Sequence, residues 1–350
     1  MKRKLILLIF PLLLISAIIL FFVGQKPSTD GVNGKLENIT AKAPEELETE
    51  IAKKEAAVGG LKEDNEAKII WANADKSKTP YSILYLHGFS ASRGEGNPVH
   101  RLTASYFGCN LYLSRLYEHG IDKPNALLDF KPQPYVESAK EALEIAQQIG
   151  DNVIVMATSA GGMLALYLAA QNPDLVDALI LYSPLVDFYD DDVHLLNMPW
   201  GAELGKMITG SEFIGFNPKK ELQKQYWTTK YRIEAIVNLV ALNEKIMVPA
   251  TFEKIKCPVF LGYFYKNEEE QDKVVSVPAM QQMYERLGTP DSLKKKVAFD
   301  DAQEHVITSE IVSGNWQRVL DSTQYFMAFQ LGLNPVDELD VDILELSDQK

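Results

Sequence analysis

The chain has 350 residues, 46% of them apolar and 24% charged, which is enough for one large domain with a full hydrophobic core. Its 48 acidic residues against 35 basic ones give a formal net charge of −13, and three of the basic ones, Lys2, Arg3 and Lys4, precede the first apolar run, so the remainder is more acidic still. A body of that sign repels phosphate backbones, which argues against nucleic acid as a partner.

In chain order, the uncharged run Leu5 to Gly24 comes first. At about 1.5 Å per residue it would span about 30 Å, the thickness of a bilayer's hydrocarbon core. It lacks the small-x-small site at which a secretory leader is cleaved. Residues 1–24 therefore read as an uncleaved signal anchor. The basic flank predicts a single-pass topology that leaves the body outside the cytoplasm, in a periplasm or at a cell surface. Residues 25–65 read as a linker carrying one short helix, Glu45 to Val58, opened by Pro44 and stopped by Gly59-Gly60.

From about residue 66 to 333 short apolar runs alternate with helical patterns. Strands are expected near Ile69–Asn73, Tyr81–Leu86, Asn110–Arg115, Val153–Ala157, Ala178–Tyr182, Val259–Phe264 and Lys296–Phe299. Helices are expected near Pro98–Phe107, Tyr135–Ile149, Ala160–Gln171, Val277–Leu287 and Asn315–Leu331. The alternation predicts an α/β fold with a mostly parallel sheet covered on both faces. The run Val153-Ile-Val-Met156 is apolar at every position, as a central strand requires.

The alternation breaks between Tyr182 and Val259. A structureless loop of that length would be abnormal. An inserted, mainly helical cap over about residues 187–255 is expected, with Met198, Trp200, Met207, Phe213, Phe216, Tyr226 and Trp227 as its large apolar side chains. Asp190-Asp191-Asp192 stands at its entrance, either near a binding mouth or as a solvated turn. Residues 334–350 form an acidic tail. Cys109 and Cys257 fall at the starts of expected strands, which the fold implied by the family resemblance given below sets four positions apart. At about 4.8 Å per spacing that is about 19 Å, beyond the roughly 7 Å limit for a disulfide, so two separate buried thiols are expected.

The residues that carry chemistry centre on Ala157-Thr-Ser-Ala-Gly-Gly162, between a buried strand and a helical run. Strand, tight turn and helix are the setting of a nucleophile elbow. The turn strains the Ser and lifts its hydroxyl clear of the sheet, and its neighbours two residues away must be small because strand and helix nearly touch. Ala157 and Gly161 are small, although Gly is usual at the first position. Ser159 is the candidate nucleophile, and the N–H of Ala160, at a helix start, is a candidate oxyanion donor. A second strand ends in His87-Gly88-Phe89. Gly88 permits a close approach of backbone to the reaction centre, and Phe89 N–H can supply the second donor. His87 reads as a structural residue that fixes the loop. Gly94-Glu95-Gly96 reads as a surface loop rather than a nucleotide cradle.

His87-Gly88-Phe89, then Arg115-Leu-Tyr-Glu-His-Gly120, then Ser159, together resemble the α/β-hydrolases, most of all the carboxylesterase, monoacylglycerol-lipase and serine-aminopeptidase-like branch. The resemblance covers roughly Glu66 to Leu331. Two departures stand out: Glu118 replaces a Gly in the Gly-His-Gly turn, and Glu304 replaces the Gly that often precedes the base. The resemblance implies the order Ser, acid, His. His305, beyond the last strand, then becomes the base. Asp272, two residues before Val274-Val275, becomes the acid, with Glu270 as alternative. These roles imply acyl transfer through an acyl-enzyme with no cofactor and no metal. The expected substrate is a small ester with an apolar acyl or alcohol part. Hydrolysis of amides or thioesters, transacylation or haloperoxidase-like chemistry, and an inactive binding module remain alternatives.

Overall fold

The computed structural model describes Ser16 and residues 23–336 except Asn38. Helix α1 (Pro44–Ala56) has Pro in its first turn, Glu45 and Glu46 beside it and Lys53 and Lys54 in the last turn, charges that complement the helix dipole at both ends. Leu47 and Ile51 are buried on its inner face, and Glu55 pairs with Arg115, with Nε 2.6 Å from Oε2. The 25–65 segment thus ends in a helix docked on the body.

The body follows the expected alternation. It runs β1 (Lys68–Ile70), β2 (Thr79–Leu86), α2 (Val99–Tyr106), β3 (Asn110–Leu113), α3 (Pro132–Ile149), β4 (Gly150–Thr158), α4 (Ala160–Gln171) and β5 (Ala178–Tyr182). The cap then intervenes: a 3-10 turn (Asp191–Asn197), α5 (Gly201–Thr209), β6 (Phe213–Gly215), α6 (Gln223–Tyr226), β7 (Lys230–Arg232), α7 (Ile233–Ile246) and α8 (Pro249–Phe252). The body resumes with β8 (Val259–Phe264), α9 (Val277–Arg286), β9 (Lys294–Phe299) and α10 (Trp316–Gln330).

Seven strands form one sheet in the order β1-β3-β2-β4-β5-β8-β9, with only β1 antiparallel. Ile83 to Leu86 and Val153 to Ala157 are completely buried, which explains their unbroken apolar character. Helix α3 buries Tyr135, Val136, Ala139, Ala142, Leu143, Ala146 and Ile149 at spacings of one, three and four, the stripe of a helix lying on a sheet. Helix α4 is apolar all round because it is enclosed. At about 1.5–3 kcal/mol for each fully buried Leu or Ile, this centre holds the loops at the ends of β2, β4, β5 and β8 in place.

The cap is fastened to the body through α7, where Asn243 Nδ2 donates to the carbonyls of Leu185 (3.1 Å) and Val186 (3.2 Å). His194 provides a second clasp, with Nδ1 2.8 Å from Glu244 Oε1 and Nε2 2.9 Å from Asp187 Oδ1. Burial would lower this imidazole, but the Glu244 and Asp187 carboxylates outweigh it and hold the ring above its ordinary value.

Three expectations are corrected. No helix among the described residues is long and apolar enough to cross a membrane, so the transmembrane anchor and the membrane localisation drawn from residues 5–24 are withdrawn. That run falls almost wholly outside the described residues, as do positions 337–350 of the acidic tail. The anchor rests on the length of that run, its missing cleavage site and its basic flank, which are features of local sequence and not a spanning helix. Gly94-Glu95-Gly96 is not a surface loop: Arg93–Gly96 form one buried 3-10 turn. Cys109 and Cys257 are both free, but only Cys109 is buried.

Candidate active site

Ser159 stands between β4 and α4 with φ +54° and ψ −120°, backbone angles outside the ordinary wells for a residue bearing a side chain. The strain is held from three sides: Ser159 N–H donates to Tyr182 O (3.0 Å), and Ser159 O accepts from Met163 N–H (3.1 Å) and Leu185 N–H (2.8 Å). The small neighbours are required. A Cβ on Gly161 would stand 2.1 Å from Leu86 O, and one on Gly162 would stand 2.6 Å from Pro184 Cβ. The methyl of Ala157 is accommodated within the sheet, opposite Leu86.

His305 lies in the loop after β9. Its Nδ1 is 2.7 Å from Asp272 Oδ2, and its Nε2 is buried with no hydrogen-bond partner. Asp272 follows β8, where Val274 N–H (2.9 Å) and Val275 N–H (3.2 Å) donate to Oδ1. Burial would raise this carboxyl, but the His305 charge and hydrogen bond, followed by the two N–H groups, bring it below the ordinary Asp value. Burial likewise would lower His305, and Asp272 reverses that, so the imidazole is raised. Glu270 is exposed and pairs instead with Lys266 (2.6 Å). The acidic run 268–270 forms a solvated turn that does not reach His305.

Ser159 and His305 both line a cavity of about 290 Å³. Its walls come from the body (Gly88, Phe89, Leu185, Val275) and from the cap (Phe216, Trp227, Tyr231, Ile236 and Leu239). Phe89 ring edges meet Phe130 at 5.1 Å and Tyr231 at 5.4 Å between centroids, which fixes the loop that carries it. Ala160 is the first residue of α4, where a helix leaves its N–H unpaired. No hydrogen bond engages Phe89 N–H among the described residues. Both expected oxyanion donors are therefore free beside the elbow. A Cβ on Gly88 would lie 3.2 Å from Ser159 Cβ, so that loop and the elbow are in close approach.

The other histidines hold structure. His87 Nε2 accepts from Leu116 N–H (3.0 Å) while Nδ1 lies 2.9 Å from Gly88 O, and burial keeps the ring far below its ordinary value. His119, lowered by burial to about 4, is held by Tyr117 O at 2.7 Å and stacks on Tyr135. Glu118 points away to Lys123. Glu304 forms an ion pair with Lys219 of the cap. Asp190 caps the 3-10 turn by accepting from Asp192 N–H (3.0 Å), and Asp190 to Asp192 do not line the cavity.

Of the seven large cap residues singled out in the sequence, the buried Trp227 and the part-exposed face of Phe216 reach the cavity, and Met198, Trp200 and Met207 are exposed without lining it. The sequence reading missed Glu95, a cavity-lining carboxyl that is 1% exposed. Its only local signal is an acidic residue flanked by two glycines, a pattern shared with ordinary turns.

The family model described as serine aminopeptidase, S33, matches residues 131–311, just over half of the chain. Among solved structures, the chain resembles that of the metagenome-derived lipolytic enzymes LipS and LipT, with TM-score 0.61 and 17% identity, covering 77% of this chain and 98% of that one. It also resembles the monoacylglycerol lipase of Paleococcus ferrophilus (TM-score 0.53, 13% identity, 75% and 97% covered) and ferulic-acid-bound Est1E of Butyrivibrio proteoclasticus (TM-score 0.51, 17% identity, 76% and 95% covered). At such identities these likenesses speak for the fold alone. No curated protein sequence matches. Sheet order, elbow and family model agree, and the chain belongs to the serine aminopeptidase, S33, family of α/β-hydrolases.

Proposed function

We propose that the protein is a serine hydrolase that cleaves small carboxylic esters through an acyl-enzyme, with Ser159 as nucleophile, His305 as base and Asp272 as its partner. The observation that carries this reading is the strained Ser159 sharing a cavity with an imidazole whose far nitrogen is fixed by a buried carboxylate. His305 Nε2 takes the proton from Ser159 Oγ as Oγ bonds to the acyl carbon. It returns that proton to the leaving alcohol as the ester C–O bond breaks. Water then attacks the acyl-enzyme by the same route, restoring Ser159 and releasing the acid. Phe89 and Ala160 N–H groups receive the charge that develops on the acyl oxygen. Asp272 keeps the imidazole oriented and favours its cationic form in the transition state.

The cavity favours an ester over a free N-terminal peptide. A free carboxylate is the strongest side-chain partner for an amino terminus. Of the two carboxyls that line the cavity among the described residues, Glu304 is engaged by Lys219, and Glu95 is raised by burial to about 8 and so mostly protonated at neutral pH. A volume of about 290 Å³ suits a short acyl or alcohol part, at the lower end of the roughly 300–1,000 Å³ of small-molecule sites.

The test uses the full chain with p-nitrophenyl esters of increasing acyl length beside Ser159→Ala, together with fluorophosphonate labelling and aminoacyl p-nitroanilides. The expected result is turnover of short esters, labelling at Ser159, little turnover of the anilides, and a loss of about 10⁴- to 10⁶-fold in turnover in the variant. Ester turnover that survives Ser159→Ala, or a wild type that neither hydrolyses esters nor labels, overturns the reading.

A further inference from the structure

Glu95 is the buried titratable group beside the site to which the proposed chemistry gives no part. It sits in the Arg93–Gly96 turn, with its carboxyl group between the end of β2 and the elbow. Gly88 N–H donates a short hydrogen bond to Oε1, and Tyr85 Oη lies 3.2 Å from the same oxygen. Tyr85 Oη is also 3.0 Å from Thr158 Oγ1, on the residue before Ser159. Oε2 and Ser159 Cβ both lie 3.2 Å from the point where a Cβ on Gly88 would stand, so the carboxyl group borders the space in front of the nucleophile.

Gly88 N–H is therefore committed to Glu95, which fixes the peptide plane between His87 and Gly88. The next N–H, of Phe89, is left free at the cavity. The same carboxyl reaches the elbow from the other side through Tyr85 and Thr158. One group thus ties together the two loops that supply the expected oxyanion donors.

Its charge matters because of where it stands. A carboxylate beside an acyl oxygen that becomes negative would oppose the reaction, whereas a neutral acid can hold the loop without that cost. Burial favours the neutral form, and the Gly88 N–H, His305 and Tyr85 draw the group only part of the way back, to about 8. The surrounding groups are Tyr85 on β2, Thr158 and Ser159 at the elbow, His305 beyond β9 with Asp272 on its other side, Tyr135 on α3 and His100 on α2. Tyr85 and Tyr135 are raised by burial and His100 is lowered by burial to about 3, so these three stay neutral. Arg93, two residues away, is buried and engaged by Asp64 and Glu66. His305, when it carries the proton, is thus the charge among the described residues that acts on Glu95.

We propose that Glu95 is a positioning residue of the hydrolytic reaction: its uncharged carboxyl group aims Phe89 N–H at the acyl oxygen by holding Gly88 N–H, and ionisation of that group switches the site off. This rests on the serine-hydrolase reading above and adds an alkaline limit to it.

The test compares wild type, Glu95→Gln and Glu95→Ala for pH profiles of kcat and KM on a short p-nitrophenyl ester. Fluorophosphonate labelling and thermal unfolding are followed alongside. Gln keeps an acceptor for Gly88 N–H and Tyr85 but cannot ionise. The wild-type kcat is expected to fall with an apparent pKa near 8. Glu95→Gln should keep most of the turnover at pH 7 and lose that alkaline fall. Glu95→Ala should lower kcat about 10- to 100-fold with little change in KM, short of the 10²- to 10³-fold cost of deleting an oxyanion donor outright. A neutral carboxyl also contributes stability below its unfolded value that is lost as pH rises through the folded one. Between pH 5 and 9 the Gln variant should therefore gain in melting temperature relative to wild type. If Glu95→Gln retains the alkaline fall, or is as slow as Glu95→Ala at every pH, the proposal is overturned while Ser159 labelling leaves the hydrolase reading intact. Absence of labelling and turnover in the wild type removes both.

Discussion

The loop after β2 and the loop after β8 each bury one carboxyl group beside the same cavity, and they hold them in opposite states. Asp272 is 1% exposed, yet two backbone N–H groups and an imidazole surround it and keep its charge. Glu95 is equally buried, but one N–H and one phenol serve it, and the cost of desolvation prevails. Depth alone does not decide ionisation; the number and kind of donors delivered by the local backbone does. On the proposed reading this divides the labour. One carboxyl supports the cation that His305 becomes, and the other leaves the oxyanion side free of negative charge.

The comparison breaks most completely at Asp272. Asp272→Asn keeps the shape but removes the charge, and an amide can present its N–H where the imidazole needs an acceptor. A loss of about 10⁴-fold in kcat is expected, the scale of the same exchange in serine proteases, with little change in KM. Steady-state kinetics on a short ester check this, and a loss below tenfold would deny Asp272 its part.

A second change strains only the other side. Gly161→Ala would push a methyl toward Leu86 O and His87 O, the backbone that leads into the Glu95-tethered loop. Overpacking of this kind costs about 1–3 kcal/mol, and because the close contact is with backbone the upper part of that range is expected. Thermal or denaturant unfolding measures it. An unchanged melting temperature would show that the end of β2 can move away from α4.

The smallest effect sharpens the comparison from behind Asp272. His194 holds Asp187, and residues 187–189 pair with the acid loop: Ser276 N–H donates to Asp187 O (2.9 Å) and Tyr189 N–H to Val274 O (3.1 Å). Because the His194 value is raised in the fold, its contribution is complete below about pH 6.5, the unfolded value, and is lost as pH rises through the folded one. The clasp is part-exposed, so the effect falls within the about 0–1 kcal/mol of surface ion pairs. Amide hydrogen exchange over residues 187–197 should speed up from pH 6 to 8 beyond its intrinsic pH dependence, and His194→Gln should flatten that excess.

Much of this architecture is legible from residue order because the informative features are local. An unbroken apolar strand, a small-residue turn and an enclosed helix lie within Val153 to Gln171, and their meaning does not depend on distant partners. The placement of His305 after the last strand and Asp272 two residues before Val274 follows the family order, and the structure brings the two within hydrogen-bond distance. Glu95 was illegible for the opposite reason. Its burial comes from Tyr85, Thr158 and Gly88, and nothing in Arg93-Gly-Glu-Gly96 distinguishes it from a solvated turn. The cap misled in the same way: large apolar residues announced it, but hydrophobicity does not say which side an element turns to the cavity, so Tyr231 on β7 and Ile236 and Leu239 on α7 went unnoticed while Met207 faces solvent.

The Lys219–Glu304 pair makes the cavity's surroundings unequal toward ions. It is the ionic tie between the cap and the His305 loop, and the lysine is largely exposed. The same segment of the cap is also held through backbone carbonyls: Thr228 N–H donates to Ser90 O (2.6 Å), and Lys62 Nζ to the carbonyls of Lys224 and Trp227 (both 2.8 Å), while Trp227 packs with Val306 beside His305. As the screening length shrinks from about 10 Å at 0.1 M to about 3 Å at 1 M salt, the exposed ion pair weakens more than these hydrogen bonds. Salinity would then slacken the hold of the cap on Glu304 while the backbone contacts and the packing around Trp227 keep that segment in place.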